Sequence, residues 1–307
     1  MFDLDTGKAR RRSSVLVARL AERAPLPPSG RLLDVGCGNG ATLRAFAEDV
    51  PGWSLYGYEL AGRDVETLRQ IPGFAELYHG PARDLPGRFD LITLIHSLEH
   101  FVDPHAILTE LSGKLVEGGS LLVQVPDLHA NPFDPVVADH LCHFDERALA
   151  FLVTRAGFAV ERVAKEWVVK ELSLVAEAAR PGTAPSRFDP PPLQGPAEVL
   201  AQIEWLQDVM DAAVRAARGG CFGLFGTAIA ATWLFGSMGD RIEFFVDEDP
   251  SRIGGRHLDR PILAPDQVPA GCDLFLALTP AVAERVRRRL RQYPIHLHSP
   301  PPIPRSA

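Results

Sequence analysis

Two short stretches of the chain carry residue types and spacings suited to chemistry. The first is Asp34-Val35-Gly36-Cys37-Gly38-Asn39-Gly40, a glycine-rich turn between an apolar strand-like run and an apolar helix-like run. Missing side chains let a ligand come against the backbone at such a turn. Gly36 to Ala41 also fits the Gly-x-Gly-x-x-Ala spacing of a dinucleotide fingerprint, so the glycines alone leave two ligand classes open. Asp34 weighs between them. Its carboxylate, two residues before the first glycine, suits a cationic amino-acid group and would repel a pyrophosphate. The second stretch is Asp139-His140-Leu141-Cys142-His143-Phe144, where two imidazoles can exchange protons near neutral pH.

The elements that must position these groups follow from periodicity. Val15, Leu16, Ala18, Leu20 and Ala21 recur at helical spacing before Pro25, which predicts an N-terminal helical segment within residues 1–29. Strands are expected at Leu32–Val35, Ser54–Tyr58, Phe89–Ile95 and Ser120–Val125. Helices are expected at Ala41–Glu48, Ala61–Gln70, Pro104–Leu115 and Leu149–Ala156. Strands alternating with helices imply a mostly parallel, doubly wound sheet in a domain spanning residues 30–179. In such sheets the loops after the strands border the ligand crevice, which places the Asp139-His140 segment beside it.

The run Leu33-Asp34-Val35-Gly36-Cys37-Gly38-Asn39-Gly40 resembles the first motif of the class I S-adenosylmethionine-dependent methyltransferases. Tyr58-Glu59, Ala82-Arg83-Asp84-Leu85-Pro86, Phe89-Asp90-Leu91-Ile92 with Leu98-Glu99-His100, and Gly118-Gly119 follow in that family's order, over roughly residues 30–160. The resemblance implies a Rossmann-like α/β fold with S-adenosylmethionine as cofactor and S-adenosylhomocysteine as product. It implies that Asp34, Gly36, Gly38 and Gly40 form the cofactor loop and that Glu59 takes the ribose hydroxyls. A carboxylate is a paired acceptor for vicinal hydroxyl donors, so its chemistry agrees. Asp84 and the Leu85 backbone would hold the adenine edge. His96 is a candidate contact to cofactor or acceptor, and Glu99-His100 is expected to be architectural.

The Asp139-His140 segment resembles the acid-His element of sugar-modifying methyltransferases. It implies His140 as base, Asp139 as its orienting partner and a small carbohydrate acceptor methylated on oxygen or carbon. In an extended loop His140 and His143 would point to opposite sides, with His143 turned to the protein body. No second cluster completes a ligand set around His140, Cys142 and His143, so no metal is expected. A non-catalytic cofactor-binding scaffold and a nicotinamide-dependent oxidoreductase are the competing readings.

Residues 180–196 are too proline-rich for a regular element and read as a linker. Beyond it an amphipathic helix from Val199 to Val214 precedes a second, smaller Rossmann-like α/β domain over residues 197–298. Its strands are expected at Cys221–Phe225, Ile242–Val246 and Asp273–Leu278, its last helix at Ala281–Tyr293, and residues 299–307 read as a disordered tail. Val246-Asp247-Glu248-Asp249-Pro250 with Pro261-Ile262-Leu263-Ala264-Pro265 resembles the C-terminal domain of deoxysugar C-methyltransferases, although that family's N-terminal cysteine-rich zinc module has no counterpart here. Such a domain would serve as a lid, a ligand site or a homodimerisation surface.

Net charge of -7 and a pI near 5.8 give no positive field for phosphate backbones, so no nucleic-acid partner is expected. The basic cluster Arg10-Arg11-Arg12 reads as a solvated helix face. Gly219–Gly239 is uncharged and nearly long enough to span a bilayer, but its glycines read as a strand-turn-helix, so no membrane segment is expected. Four widely separated cysteines suggest neither zinc nor a disulfide framework and fit a reducing cytoplasm.

Overall fold

The computed structural model describes residues 12–23, 26–59, 65–179 and 196–304. The chain divides into two compact units, one from Met1–Asn131 with Asp139–Leu193, the other from Pro132–Ala138 with Gln194–Ala307.

The first unit opens with helix α1 (Arg12–Arg23) and then alternates: β1 (Arg31–Val35), α2 (Ala41–Asp49), β2 (Ser54–Tyr58), α3 (Val65–Arg69), β3 (Phe74–Tyr78), β4 (Phe89–Ile95) and α4 (Pro104–Ser112). It continues through β5 (Leu115–Pro126), α5 (Glu146–Arg155), β6 (Phe158–Ala164) and β7 (Glu171–Ala178). The strands form one sheet in the order β3-β2-β1-β4-β5-β7-β6, parallel throughout β3 to β5, with β7 antiparallel to both its neighbours. β1 and β4 are apolar and buried along nearly their whole length, as strands covered on both faces must be. Two apolar clusters, one around Leu94, Leu108 and Leu174, the other around Leu16, Phe46 and Leu122, contribute the packing that holds the layers together.

Several boundaries differ from the sequence-based expectation. α4 stops at Ser112 because β5 begins at Leu115, whose pairing with Phe89 claims residues assigned to the helix. β3 has a half-exposed burial pattern that gives no apolar run. Of the expected helix from Ala61, residues 61–64 lie outside the described residues, Val65–Arg69 are helical and Gln70 is already a turn.

The second unit carries helix α6 (Pro196–Ala216), β8 (Phe222–Phe225), α7 (Ile229–Met238), β9 (Phe244–Val246), β10 (Arg256–His257), β11 (Arg260–Leu263), β12 (Asp273–Leu276), α8 (Pro280–Leu290) and β13 (His296–His298). Its sheet runs β10-β11-β9-β8-β12-β13, parallel except for the β10-β11 hairpin. The uncharged Gly219–Gly239 stretch is β8, its turn and α7. No described helix is long and apolar enough to cross a membrane. The linker falls outside the described residues up to 195, and Pro196 already begins α6. The segment after β13 is not free through its described part: Trp205 Nε1 donates to the Pro301 carbonyl at 3.0 Å, and residues 305–307 lie outside the described set.

Within this unit the segment 132–138 adds Phe133 and, partly buried, Val136 to the core. Phe133, 5% exposed, packs its ring 5.2 Å from Trp205 and 6.5 Å from Trp233, and Gln202 Nε2 donates to the Pro132 carbonyl.

The expectation of unpaired cysteines is corrected: Cys221 and Cys272 are disulfide-bonded, while Cys37 and Cys142 are free. Separated by 51 residues, the pair is brought together because each immediately precedes one of the neighbouring parallel strands β8 and β12. The case for a reducing compartment loses that support. Closing a loop of this length restricts the unfolded chain by roughly 4 kcal/mol. Replacing both cysteines by serine should therefore lower the melting temperature of the second unit's transition. An unchanged transition in differential scanning calorimetry would mean the bond adds nothing to stability.

Candidate active site

β1 ends in the glycine loop, and the loop's conformation requires its glycines. Gly36 has φ +74, and a Cβ there would lie 2.5 Å from the Cβ of Ser97. Gly38 has φ +53, but a Cβ on it would meet nothing within 4 Å, so open space lies over its backbone. The Gly36 N–H donates to the Tyr58 carbonyl at 2.8 Å and the Ser97 hydroxyl donates to the Val35 carbonyl at 2.7 Å. These bonds tie the ends of β1, β2 and β4 to one another. Glu59, just after β2, accepts from the Gly38 N–H.

A cavity of about 600 Å³ opens over this loop, lined by Gly36, Gly38, Tyr58, Glu59, His96, Ser97, His100, Phe101, Asp139 and Leu141. That volume suits a ligand of cofactor size. Of the residues singled out from sequence, Gly36, Gly38, Glu59, His96 and Asp139 meet here. Gly40 does not line the cavity. With φ +79 it starts α2, packed under Leu68 and Ile71. Asp84 is exposed and Leu85 is buried in the turn after Ala82, and neither lines the cavity. Sequence reasoning passed over Tyr58, Ser97, Phe101 and Leu141. Their only signal was position beside strand ends.

Asp34 lies beneath the loop, 2% exposed, accepting from the Thr93 hydroxyl at 2.7 Å. Burial pushes its carboxyl up to about 7; the Thr93 bond opposes this, and the negative Glu59 adds to it. Burial likewise raises the Cys37 thiol to about 12, helped by Asp34 and Glu59, so this cysteine is no nucleophile.

His96 sits at φ +51, a conformation costly for a residue with a side chain. Its Nδ1 is 3.3 Å from Glu99 Oε1 and its Nε2 is 3.4 Å from Glu171 Oε2. Arg12 caps this row through Glu171 at 2.7 Å, so the one described member of the basic cluster is ion-paired to a buried acid. Burial disfavours the His96 cation, but the Glu99 carboxylate, Glu171 and the charge on Glu99 outweigh it and raise the pKa.

The histidine segment departs from the extended path. Leu141 and Cys142 N–H groups both bond the Glu99 carbonyl, at 2.8 and 3.1 Å, which wraps the segment around the turn after β4. The rings of His140 and His143 consequently lie 6.3 Å apart rather than on opposite sides. His140 packs edge-on to His100 at 5.0 Å, and it is His100 that lines the cavity. Asp139 turns to His100: its carbonyl is 2.8 Å from His100 Nδ1 and its Oδ2 is 3.5 Å away. A carbonyl only accepts, so Nδ1 carries a proton and Nε2 is the lone-pair atom of neutral His100. Glu99, His100 and His140 each bring one ligand-type atom within 4.8 Å of the others.

Sheet order and site together define a Rossmann-like class I methyltransferase fold. Residues 7–163 match the family model described as a methyltransferase domain, and the chain belongs to that family. It is 33% identical over 112 residues to the ubiquinone biosynthesis O-methyltransferase of Xanthomonas campestris pv. campestris, covering 34% of this chain and 46% of that protein. It is 32% identical over 117 residues to trans-aconitate 2-methyltransferase of Methylobacterium radiotolerans, covering 38% and 45%. The chain thus spans about half the length of the curated relatives it matches. Among solved structures it is similar to an S-adenosylmethionine-dependent methyltransferase from Clostridium acetobutylicum, at TM-score 0.44 and 11% identity over 58% of this chain and 95% of that one. It is also similar to human N-acetylserotonin methyltransferase in complex with SAM, at TM-score 0.43 and 19% identity over 55% and 52%.

Membership of the methyltransferase family favours the methyl donor S-adenosylmethionine over the nicotinamide alternative left open by Gly36 to Ala41. The residues present fit that donor. Open space lies over Gly38, a half-buried carboxylate stands at the end of β2, and Asp34 is a buried acid beneath the loop, all suited to a cationic ligand carrying vicinal hydroxyls.

Proposed function

We propose that this chain transfers a methyl group from S-adenosylmethionine to an oxygen or carbon of a small-molecule acceptor, a sugar or related metabolite. The observation that carries this reading is one cavity in which the glycine loop and Glu59 face the histidine-bearing rim of His96, His100 and Asp139. Bound cofactor supplies a methyl on a positively charged sulfur. The chain's residues do the rest: Gly36 and Gly38 admit the ligand, Glu59 accepts from the ribose, and Leu141 and Phe101 exclude water from the acceptor side. Placing the acceptor against the methyl contributes much of the rate.

His100 is the base in this reading. Asp139 fixes its tautomer, so Nε2 can take the proton of an acceptor hydroxyl as the oxygen forms its new bond to carbon. His140 buttresses the His100 ring, and His143 stands behind His140.

Calorimetric titration with S-adenosylhomocysteine tests the cofactor half. Glu59→Ala should weaken binding by about 1.5–3 kcal/mol, the scale of hydrogen bonds to a charged group, and Glu59→Gln by less. Equal and negligible effects of both changes would remove Glu59 from the ribose site.

A further inference from the structure

A second cavity, of about 420 Å³, lies wholly within the second unit. Arg215 near the end of α6, Arg287 in the last turn of α8, His298 at the end of β13 and Ser299 just beyond it line this cavity, with Phe275 and Leu297 beneath them.

Its charge is one-sided. No acidic residue lines it, and neither Arg215 nor Arg287 has an ion pair or hydrogen bond among the described residues. Other arginines of α8 are neutralised, Arg288 by Glu284 and Arg289 by Glu248. Two unpaired guanidiniums in one concavity repel each other, and an anion between them removes that repulsion.

The cavity also holds a hydroxyl in need of a partner. The Ser299 Oγ is buried without a hydrogen bond, an arrangement that costs free energy unless a ligand satisfies it. Its position is fixed from both sides: β13 pairs with β12, and the Pro301 carbonyl accepts from Trp205. His298 is equally fixed, its Nε2 donating to Asp273 Oδ1 at 2.7 Å, which leaves Nδ1 as the ring nitrogen outside that bond.

We propose that this cavity binds a phosphate-class oxyanion carried by a small metabolite. Two guanidiniums present forked donors to oxyanions, and a doubly charged group neutralises both where a single carboxylate neutralises one. The Ser299 hydroxyl donates a further hydrogen bond, and the His298 ring, whose one N–H is held by Asp273, walls the cavity. The site is built from the second unit's residues alone and does not depend on what the first unit methylates.

Calorimetric titration of the whole chain with inorganic diphosphate at about 0.15 M salt tests it, because screening at that ionic strength suppresses loose surface attraction. Saturable binding of one diphosphate per chain is expected, weakened at least about tenfold by Arg215→Gln or Arg287→Gln and to a smaller extent by Ser299→Ala. Arg285→Gln and Arg291→Gln, on and just after the same helix but outside the cavity, should leave it within about twofold. Each variant is checked for an unchanged melting transition. Absence of saturable binding, an equal loss in the two outside variants, or equally tight binding of succinate would overturn the assignment.

Discussion

Between about pH 4 and pH 7 the free protein should lose stability as pH rises, and Asp34→Asn should remove that slope. In the fold the Asp34 carboxyl titrates at about 7, against 3.8 in the unfolded chain, because burial disfavours its charge. The native state therefore binds the proton more tightly, and its advantage, present below about pH 4, is gone above pH 7. A difference of that size corresponds to several kcal/mol. His96, whose pKa is also raised, contributes below its unfolded value of 6.5 and loses its contribution above that, so the two slopes occupy different windows. Denaturant titrations at half-unit pH intervals separate them. A flat profile from pH 4 to 6 would show that Asp34 is not desolvated in the free protein. The same acid links cofactor binding to protons: a cationic ligand over the loop favours the carboxylate, so binding near pH 5.5 should expel a proton and binding near pH 8.5 should not. Calorimetry in buffers of different ionisation enthalpy reads the number released, and Asp34→Asn should bring it to zero.

His100→Ala should lower turnover by about 10²–10⁴, the scale of general acid-base catalysis, with S-adenosylhomocysteine affinity nearly unchanged. The expected asymmetry with its neighbour is the informative part. His140→Ala removes the ring packed at 5.0 Å but leaves the Asp139 carbonyl on His100 Nδ1, so its loss should be about tenfold or less. Product S-adenosylhomocysteine is measured with the acceptor identified by screening hydroxylated metabolites. Added imidazole should restore part of the His100→Ala rate. Full activity in His100→Ala together with a large loss in His140→Ala would return the base to the residue that the sequence motif favours.

The sequence made the centre of the first sheet legible, because β1 and β4 are fully covered strands whose apolar runs need no partner to be recognised. It concealed β7, since an antiparallel return is defined by its register with Leu121 to Pro126 rather than by its own residues. Site legibility divides in the same way. Gly36, Gly38 and Glu59 are local features at strand ends, and the structure places them at one cavity. The focus on His140 came from the neighbouring Asp139, but that acid's carbonyl bonds a histidine 39 positions earlier, which no local pattern encodes. The Cys221–Cys272 bond was hidden for the same reason: its partners are adjacent only across the register of β8 and β12.

Residues 132–138 give the second unit a core that is not contiguous in sequence. A polypeptide started after the proline-rich stretch would contain every strand of that unit and still lack Phe133, leaving the Trp205 and Trp233 indoles around a vacancy about the size of a phenyl ring. Filling such a space is worth on the order of 3–5 kcal/mol, a large share of what a small domain has to spare. The chain thus contributes to the second unit's core between β5 and α5, before β6 and β7 complete the first unit's sheet. Neither half can be exchanged between proteins as a cassette cut at the linker without a substitute for that ring.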